Sequence, residues 1–485
     1  MTTENDLYRD LLETATRVRR TDEKKSPRPV TDYKHLVREA TWRQAWDAEK
    51  RKLGEPHKVN GIIWSDAIER CLEENNSVYI PEMAGPVYID RSIVLKSDQR
   101  LIAAPGAEIR MIIGEAGTCM VRNANVKFSQ DRPVKMCDGA DDNILIEGGA
   151  WSDQNCEGLG RGGQYDLENS MPGAHAIFLL HNITRLAVRN VRFRDCSPFA
   201  VQLGNARDFV IENIMFDETA DGIHVEGPSA RGIIRHISGK TNDDQVALNA
   251  WDWDNSSITF GPITDMLVED IECRPGYTWS EFRLLPGTKR FRNGQSIACD
   301  IRRCVYRNIR GVHTFKMYDQ PNLSKPEEDF ADPIGKMSDM FFSNITVDGI
   351  AKSGYYDKSS EGVFDICADI DNISINDVRF NYVPGTGEMA PCLVTVGPKA
   401  LTWPRSKAPG SGWKEVFNPN AKPVVKNLSV KNIQAPDPDK PGKYMRYKNA
   451  DKLIKATRLS LNPDFPKTMP RGGTGHGKII EAVLG

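Results

Sequence analysis

Three aspartates carry the clearest chemistry in this chain. Asp221 ends the run "TAD" of "TADGIHVEG", and the adjacent Asp243 and Asp244 follow 22 and 23 residues later in "TNDDQVALNAWDW". Carboxylates held within several ångströms of one another repel, so one of the set is expected to keep its proton near neutral pH beside ionised neighbours. A protonated acid next to ionised bases is what hydrolysis of a glycosidic bond requires: a proton for the leaving oxygen and a base for water. The same spacing also suits an Asp/Asn corner ladder or a calcium site. Four nearby residues extend the candidate site. His224 lies three residues past Asp221, and Trp251, Asp252 and Trp253 follow the acid pair. Strand alternation puts both indoles on one face and Asp252 on the other. Exposed indoles would stack on sugar rings, and buried ones would belong to an apolar patch.

A repeat explains how acids 22 or 23 residues apart could meet. The pattern is apolar, any, apolar, polar, then Asn, Asp or Gly, then often Val or Ile. It recurs in "NILIEGGAW", "RLAVRNVRF", "DFVIENIMF", "GIIRHISG", "MLVEDIEC", "CVYRNIRG", "MFFSNITV", "NISINDVRF" and "NLSVKNIQ". Its fifth positions are Gly148, Asn190, Asn213, His236, Asp270, Asn308, Asn344, Asp377 and Asn432, in steps of 42, 23, 23, 34, 38, 36, 33 and 55. The step of 23 is one bare rung, 42 is close to two, and the others are a rung plus a loop. Short strands ending in polar corners at this period predict an all-β chain coiled as a parallel β-helix, with rungs about 4.8 Å apart. A leucine-rich repeat has a similar period, but its LxxLxLxxN core is missing. On adjacent rungs Asp221 would stand beside Asp243 and Asp244, with the pair at a strand–turn boundary.

The ends read differently. Residues 1–55 are expected to form a helical extension and cap, with "LVREATWRQAWDAEKRKL" as helix; residues 56–434 form the coil; and 435–485, rich in Pro and Lys, form an irregular tail packed on its outside. "WSDAIERCLEENNSVYIPE" reads as a helix followed by a first strand. The "RGGTGHGK" run lacks the strand and helix that a phosphate loop needs. "DGADDN" lacks the ligand periodicity of an EF-hand and reads as a polar turn.

Net charge is −2, with 64 basic and 66 acidic side chains, which argues against a nucleic-acid partner. No run is apolar for the roughly 18 residues a membrane span needs, and no secretory h-region is visible near the N-terminus. Ten cysteines are scattered without metal spacing, which predicts reduced thiols and a cytoplasmic protein. No resident metal or cofactor is expected, and the assembly is read as a monomer or homodimer.

The runs "SVYIPEMAGPVYIDRSIVLKSDQRLIAAPGAEI", "CSPFAVQLGNARDFVIENIMF" and "ADGIHVEG…NDDQVALN" together resemble glycoside hydrolase family 28, the polygalacturonase family, over roughly residues 60–380. The resemblance implies a right-handed parallel β-helix and hydrolysis with inversion. It implies Asp243 as general acid, and Asp221 and Asp244 as bases that position and activate water. It also implies an oligosaccharide partner, uronic-acid-containing or pectin-derived. The chain departs from the family at several points. Asn-Thr-Asp is Thr219-Ala220-Asp221, the family's further acid is replaced by His224, Gly-His-Gly has no counterpart, and Arg-Ile-Lys is at best Arg283-Leu284-Leu285 with Lys289 beyond.

Arg283 would lie one large rung past the acids, free to bind a carboxylate or to pair with an acid. Lys316, Tyr318, Gln202 and Asn205 are weaker candidates for the same flank. Short oligomers and long loops at one end of the groove favour exo cleavage. The alternatives are a β-helix lyase or epimerase, which needs a base with calcium or Arg beside a uronate, and a non-catalytic carbohydrate-binding β-helix.

Overall fold

The nine fifth positions of the repeat all adopt the left-handed backbone conformation, with φ between 52° at Asn432 and 81° at Gly148. Asn, Asp and Gly enter this region at least cost, which is why the sequence marks the corner with them. The structure is a computed structural model. It describes residues 3–18, 25–112, 119–154, 176–252, 257–273, 281–291, 293–318, 334–348, 362–384, 392–397, 401–404, 413–416, 422–447, 453–456 and 478–484. Among the described residues, no helix is long and apolar enough to cross a membrane. The nine described cysteines are free thiols.

The strands stack in parallel, rung on rung. One inward column runs Val78, Leu101, Ile146, Val188 and Ile211, and continues through Ile234, Val268, Tyr306, Phe342, Ile375 and Val430. All of these are buried, and with the inward residues of the other faces they form one long core. At the corners each amide reaches the rung before it: Asn213 donates to Asn190 at 3.1 Å, Asn308 to Asp270 at 2.9 Å and Asn344 to Asn308 at 2.8 Å.

A second left-handed column lies five residues upstream of the first, and the repeat pattern did not expose it. It runs Asn143, Arg185, Asp208, Arg231, Asp265, Arg303, Asp339, Asn372 and Asn427. Arginine is a poor left-handed residue, at about 1–2 kcal/mol. Here Arg231 pairs with Asp208 and Arg303 with Asp265 on the preceding rung, which offsets that cost.

Helix α1 (Glu4–Arg17) lies along the outside of the coil. Its Leu7 and Leu11 pack on an outward column of Leu145, Ala187, Val210, Ile233, Leu267, Val305 and Phe341. That column is apolar only where the helix covers it. The next two members are Ser374 and Ser429, both half-buried.

The expected helix over "LVREATWRQAWDAEKRKL" is instead an antiparallel hairpin, Arg38–Asp47 with Lys52–Ile63. Trp42, Gln44 and Trp46 point inward at period two, and Trp42 packs edge-on against Tyr88 at 4.8 Å. Burial of the two indoles overrides the helix propensity of Arg43, Gln44 and Ala45 between them. The cap over the open end of the core is α2 (Ser65–Asn75), which contributes Ala67, Ile68, Cys71 and Leu72. The described parts of residues 1–55 are thus a flank helix, a short 3-10 helix (Val30–Leu36) that packs on α2 and adds Val30 to the core, and most of the hairpin, in place of the long capping helix expected.

The tail also departs from expectation. Lys478–Leu484 adds a parallel strand onto Val424–Val430, Ile454–Ala456 pairs with Val394–Val396, and Tyr444–Arg446 returns antiparallel on Gln434–Pro436. The alternating "KIIEAVL" supplies the period that the surrounding Pro, Lys and Gly obscured. Apart from Lys478, "RGGTGHGK" lies outside the described residues. "DGADDN" is a turn leading into a strand, with Asp141 accepting from the Asn123 and Asn125 side chains.

The corner account predicts how Asn344 responds to substitution. Asn344→Val should lose about 2–3 kcal/mol, from the left-handed penalty and the ladder hydrogen bond together. Asn344→Gly should lose about 1 kcal/mol, since only the hydrogen bond goes. Urea midpoints of the two variants check this; equal losses would contradict it.

Candidate active site

Ile223, His224, Val225 and Glu226 pair with Val246, Ala247, Leu248 and Asn249 on the next rung. The same register sets Asp221 against Asp244. Gly222 makes the approach possible, because a Cβ there would lie 2.2 Å from the Gln245 carbonyl oxygen. Asp243 sits in the turn that enters the second rung; its N–H and that of Asn242 both donate to the Ala220 carbonyl at 2.8 Å. The acid pair is thus at a strand–turn boundary, as alternation required.

The three carboxylates differ in access. Asp243 has 24% of its side chain exposed, Asp221 11% and Asp244 none. They are not a bare cluster. Arg283, paired in register with Ala247, reaches down among them. Its Nε lies 2.9 Å from Asp244, Nη1 3.6 Å from Asp252 and Nη2 3.9 Å from Asp243. Burial opposes its charge, but the carboxylates, Asp244 foremost, outweigh that and hold the guanidinium firmly protonated. Simple mutual repulsion of three acids is therefore moderated by a cation placed inside the cluster.

His224 is fully buried, with Phe199 stacked on its ring at 3.7 Å. Burial first, and then Arg283, lower its pKa to about 3, so the imidazole is neutral. Its Nδ1 faces the Asn249 amide at 3.3 Å, which leaves the proton on Nε2, 3.0 Å from Asp221 and 3.9 Å from Asp244. One donor atom each from Asp221, His224 and Asp244 lie within 4.8 Å of one another, a set that could ligate a divalent cation. Arg283 competes directly for Asp244 and already supplies positive charge there.

Not every expected site residue joins the cluster. Asp252 does: it is buried, near Arg283, and contacted by Asn249 at 3.3 Å. Trp251 does not offer a sugar platform. It is 2% exposed, packed on Phe260, with the Lys289 ammonium 3.8 Å above its ring. Trp251 and Asp252 follow the end of the strand at Asn249, with the indole in the core and the carboxylate beside Arg283. Trp253 lies outside the described residues. Lys316 follows Arg283 in register, and Tyr318 lies two residues on; both are nearly buried.

Gln202 and Asn205 are buried and occupied. Gln202 donates to Glu226, and Asn205 accepts from the Cys137 N–H. Three contributors escaped sequence reasoning: Phe199, Asn249 and Glu226. Asn249 and Glu226 stand two residues past Ala247 and His224, so the alternation that placed His224 would also have placed them. Phe199 had no such signal.

No protein-family model matches the chain, and no curated protein matches it. Solved structures do. A hyperthermoactive exopolygalacturonase from Thermotoga maritima superposes with a TM-score of 0.53 at 12% identity, covering 88% of this chain and 95% of its own. A family 28 exopolygalacturonase from Yersinia enterocolitica gives 0.51 at 12% identity, covering 83% and 77%. The protein is a right-handed parallel β-helix. At this identity the likeness shows the fold alone.

The buried neutral His224 makes stability depend on pH. The unfolded chain takes up a proton near pH 6.5, whereas the folded chain resists until about pH 3. The contribution is whole above pH 6.5 and is lost as pH falls toward 3, at up to about 1.4 kcal/mol per pH unit. His224→Gln should flatten this acid limb relative to wild type in urea titrations from pH 7 to 4; the same slope in both proteins would contradict it. Arg283→Ala strands buried Asp244 and should lose about 3–5 kcal/mol, with Arg283→Lys losing clearly less, both read from urea midpoints.

Proposed function

We propose that the protein is an inverting glycoside hydrolase that cleaves oligosaccharides from a chain end. The observation that supports this most is the graded access of the three stacked acids, with the most exposed carboxylate at the mouth and the other two held beneath it by Arg283 and His224. Asp243 gives its proton to the glycosidic oxygen as the bond to the anomeric carbon breaks. Water attacks that carbon from the opposite face and loses a proton to Asp221, the lower carboxylate that keeps some exposure. Asp244 fixes the guanidinium, and through it the orientation of the acids.

Asp252 and Arg283 border the sugar, and His224, with Nε2 3.0 Å from Asp221, backs that carboxylate. The two exopolygalacturonases of like fold support a sugar substrate and terminal cleavage, and the free thiols support a reducing, cytoplasmic setting.

The test is product analysis on a panel of oligosaccharides, with and without EDTA. Hydrolysis yields new reducing ends without unsaturated-product absorbance, and it persists in chelator. Asp243→Asn should lower kcat by about 10²–10⁴-fold with little change in KM. Unsaturated products that vanish in EDTA would replace this reading with a metal-assisted lyase at the same carboxylates.

A further inference from the structure

A site that takes a uronic acid must offer its carboxylate a cation whose charge is not already spent. The cleft rungs set two cations among the acids, within the described residues, and a third, Lys289, has its ammonium stacked on the Trp251 ring next to Asp252. Arg283 is one, and each of its three guanidinium nitrogens faces a different carboxylate, on Asp244, Asp252 and Asp243. Lys316 is the other. It is 4% exposed and lies in register between Arg283 and Asp365. His224 adds no charge, being neutral and enclosed by Phe199. Asp243, Asp244 and Asp252 face Arg283, Asp365 follows Lys316 in register, and Asp221 and Glu226 lie beside His224. Even with Asp243 protonated as the acid, five carboxylates, those of Asp221, Glu226, Asp244, Asp252 and Asp365, stand against the three cations Arg283, Lys316 and Lys289. A substrate carboxylate brought here adds like charge to an excess of like charge in a poorly solvated cleft, where such charges are weakly screened. Hydroxyl groups meet the opposite situation, because carboxylate oxygens accept well from them.

We propose that this cleft selects neutral glycosyl units and rejects uronates at the position beside Arg283. This rests on the hydrolase reading above for its identification of the cleft, and it departs from the substrate that the sequence resemblance implies. Arg283 is in this account an internal counter-ion to the acids and not a receptor for the substrate. Asp252 is the specificity-determining residue, because it takes up guanidinium charge without belonging to the acid trio.

The experiment compares matched pairs of oligosaccharides that differ only in a 6-hydroxyl against a 6-carboxylate, both as hydrolysable substrates and as thio-linked analogues that resist cleavage. Calorimetry on wild type with the thio-linked pair reads recognition apart from turnover. The neutral analogue is expected to bind at least 30-fold tighter, with the ratio shrinking as salt is raised. Asp252→Asn should shift that ratio about 5–10-fold toward the uronate by releasing part of the Arg283 charge, whereas a merely structural Asp252 would weaken both ligands alike. Equal or tighter binding of the uronate overturns the proposal. Neutral binding without any turnover of the hydrolysable pair upholds the charge selection and overturns the hydrolase reading. Binding of neither analogue overturns both.

Discussion

The architecture depends on a backbone turn taken in the left-handed conformation, repeated at the same angular position on rung after rung. That turn lets a strand leave one face and enter the next without breaking the inward alternation. It also sets the side-chain amide along the stack, so that each corner is tied to its predecessor. Because the corners coincide, the inward residues coincide, and the core becomes a set of columns instead of a jigsaw of unrelated contacts. Because the rungs coincide, residues distant in sequence acquire fixed neighbours. The acid cluster is one result: Asp221 and Asp244 meet because the register allows no other place for them, and Gly222 gives the two backbones room to approach.

That logic explains what the sequence disclosed and what it withheld. The first corner column was legible because left-handed geometry selects Asn, Asp and Gly, and these stand out against β-branched strands. The second column was hidden because Arg185, Arg231 and Arg303 occupy it, tolerated through partners one rung away. The hairpin at Arg38–Asp47 was hidden by residues that favour a helix in isolation; its indoles decide the matter only when a surface exists to receive them. Trp251 shows a different limit. Alternation says that neighbouring side chains face opposite ways, but not which way is inward. The 36-residue step from Ala247 to Arg283 shows a third. A loop of unspecified path separates them, so the sequence put Arg283 near the acids without showing that it enters their midst.

The position of Arg283 changes the character of the cluster. Three carboxylates alone would repel one another and draw in any available cation. With a guanidinium held among them, the group is internally compensated to a degree, rigid, and poorly disposed to accept a further negative charge. His224 contributes in the opposite manner, by remaining uncharged: stacked beneath Phe199 it can orient Asp221 without altering the charge balance. Orientation and charge are thus divided between two different side chains, each placed by its own rung.

Helix α1 imposes an order on how the molecule is assembled. Its Glu4 bonds to Ser343, a partner 339 residues further along the chain, while its other end meets Asp208 through Arg17. The helix is synthesised before every strand it packs on, and its binding surface is complete only once Phe341 has been made. Until then its apolar stripe has nothing to cover. Once docked it spans several rungs as a splint, so peeling one rung away from the next must also lift the helix. A coil held only by neighbour-to-neighbour contacts could fray rung by rung; this one has its middle section bound into a single cooperative block.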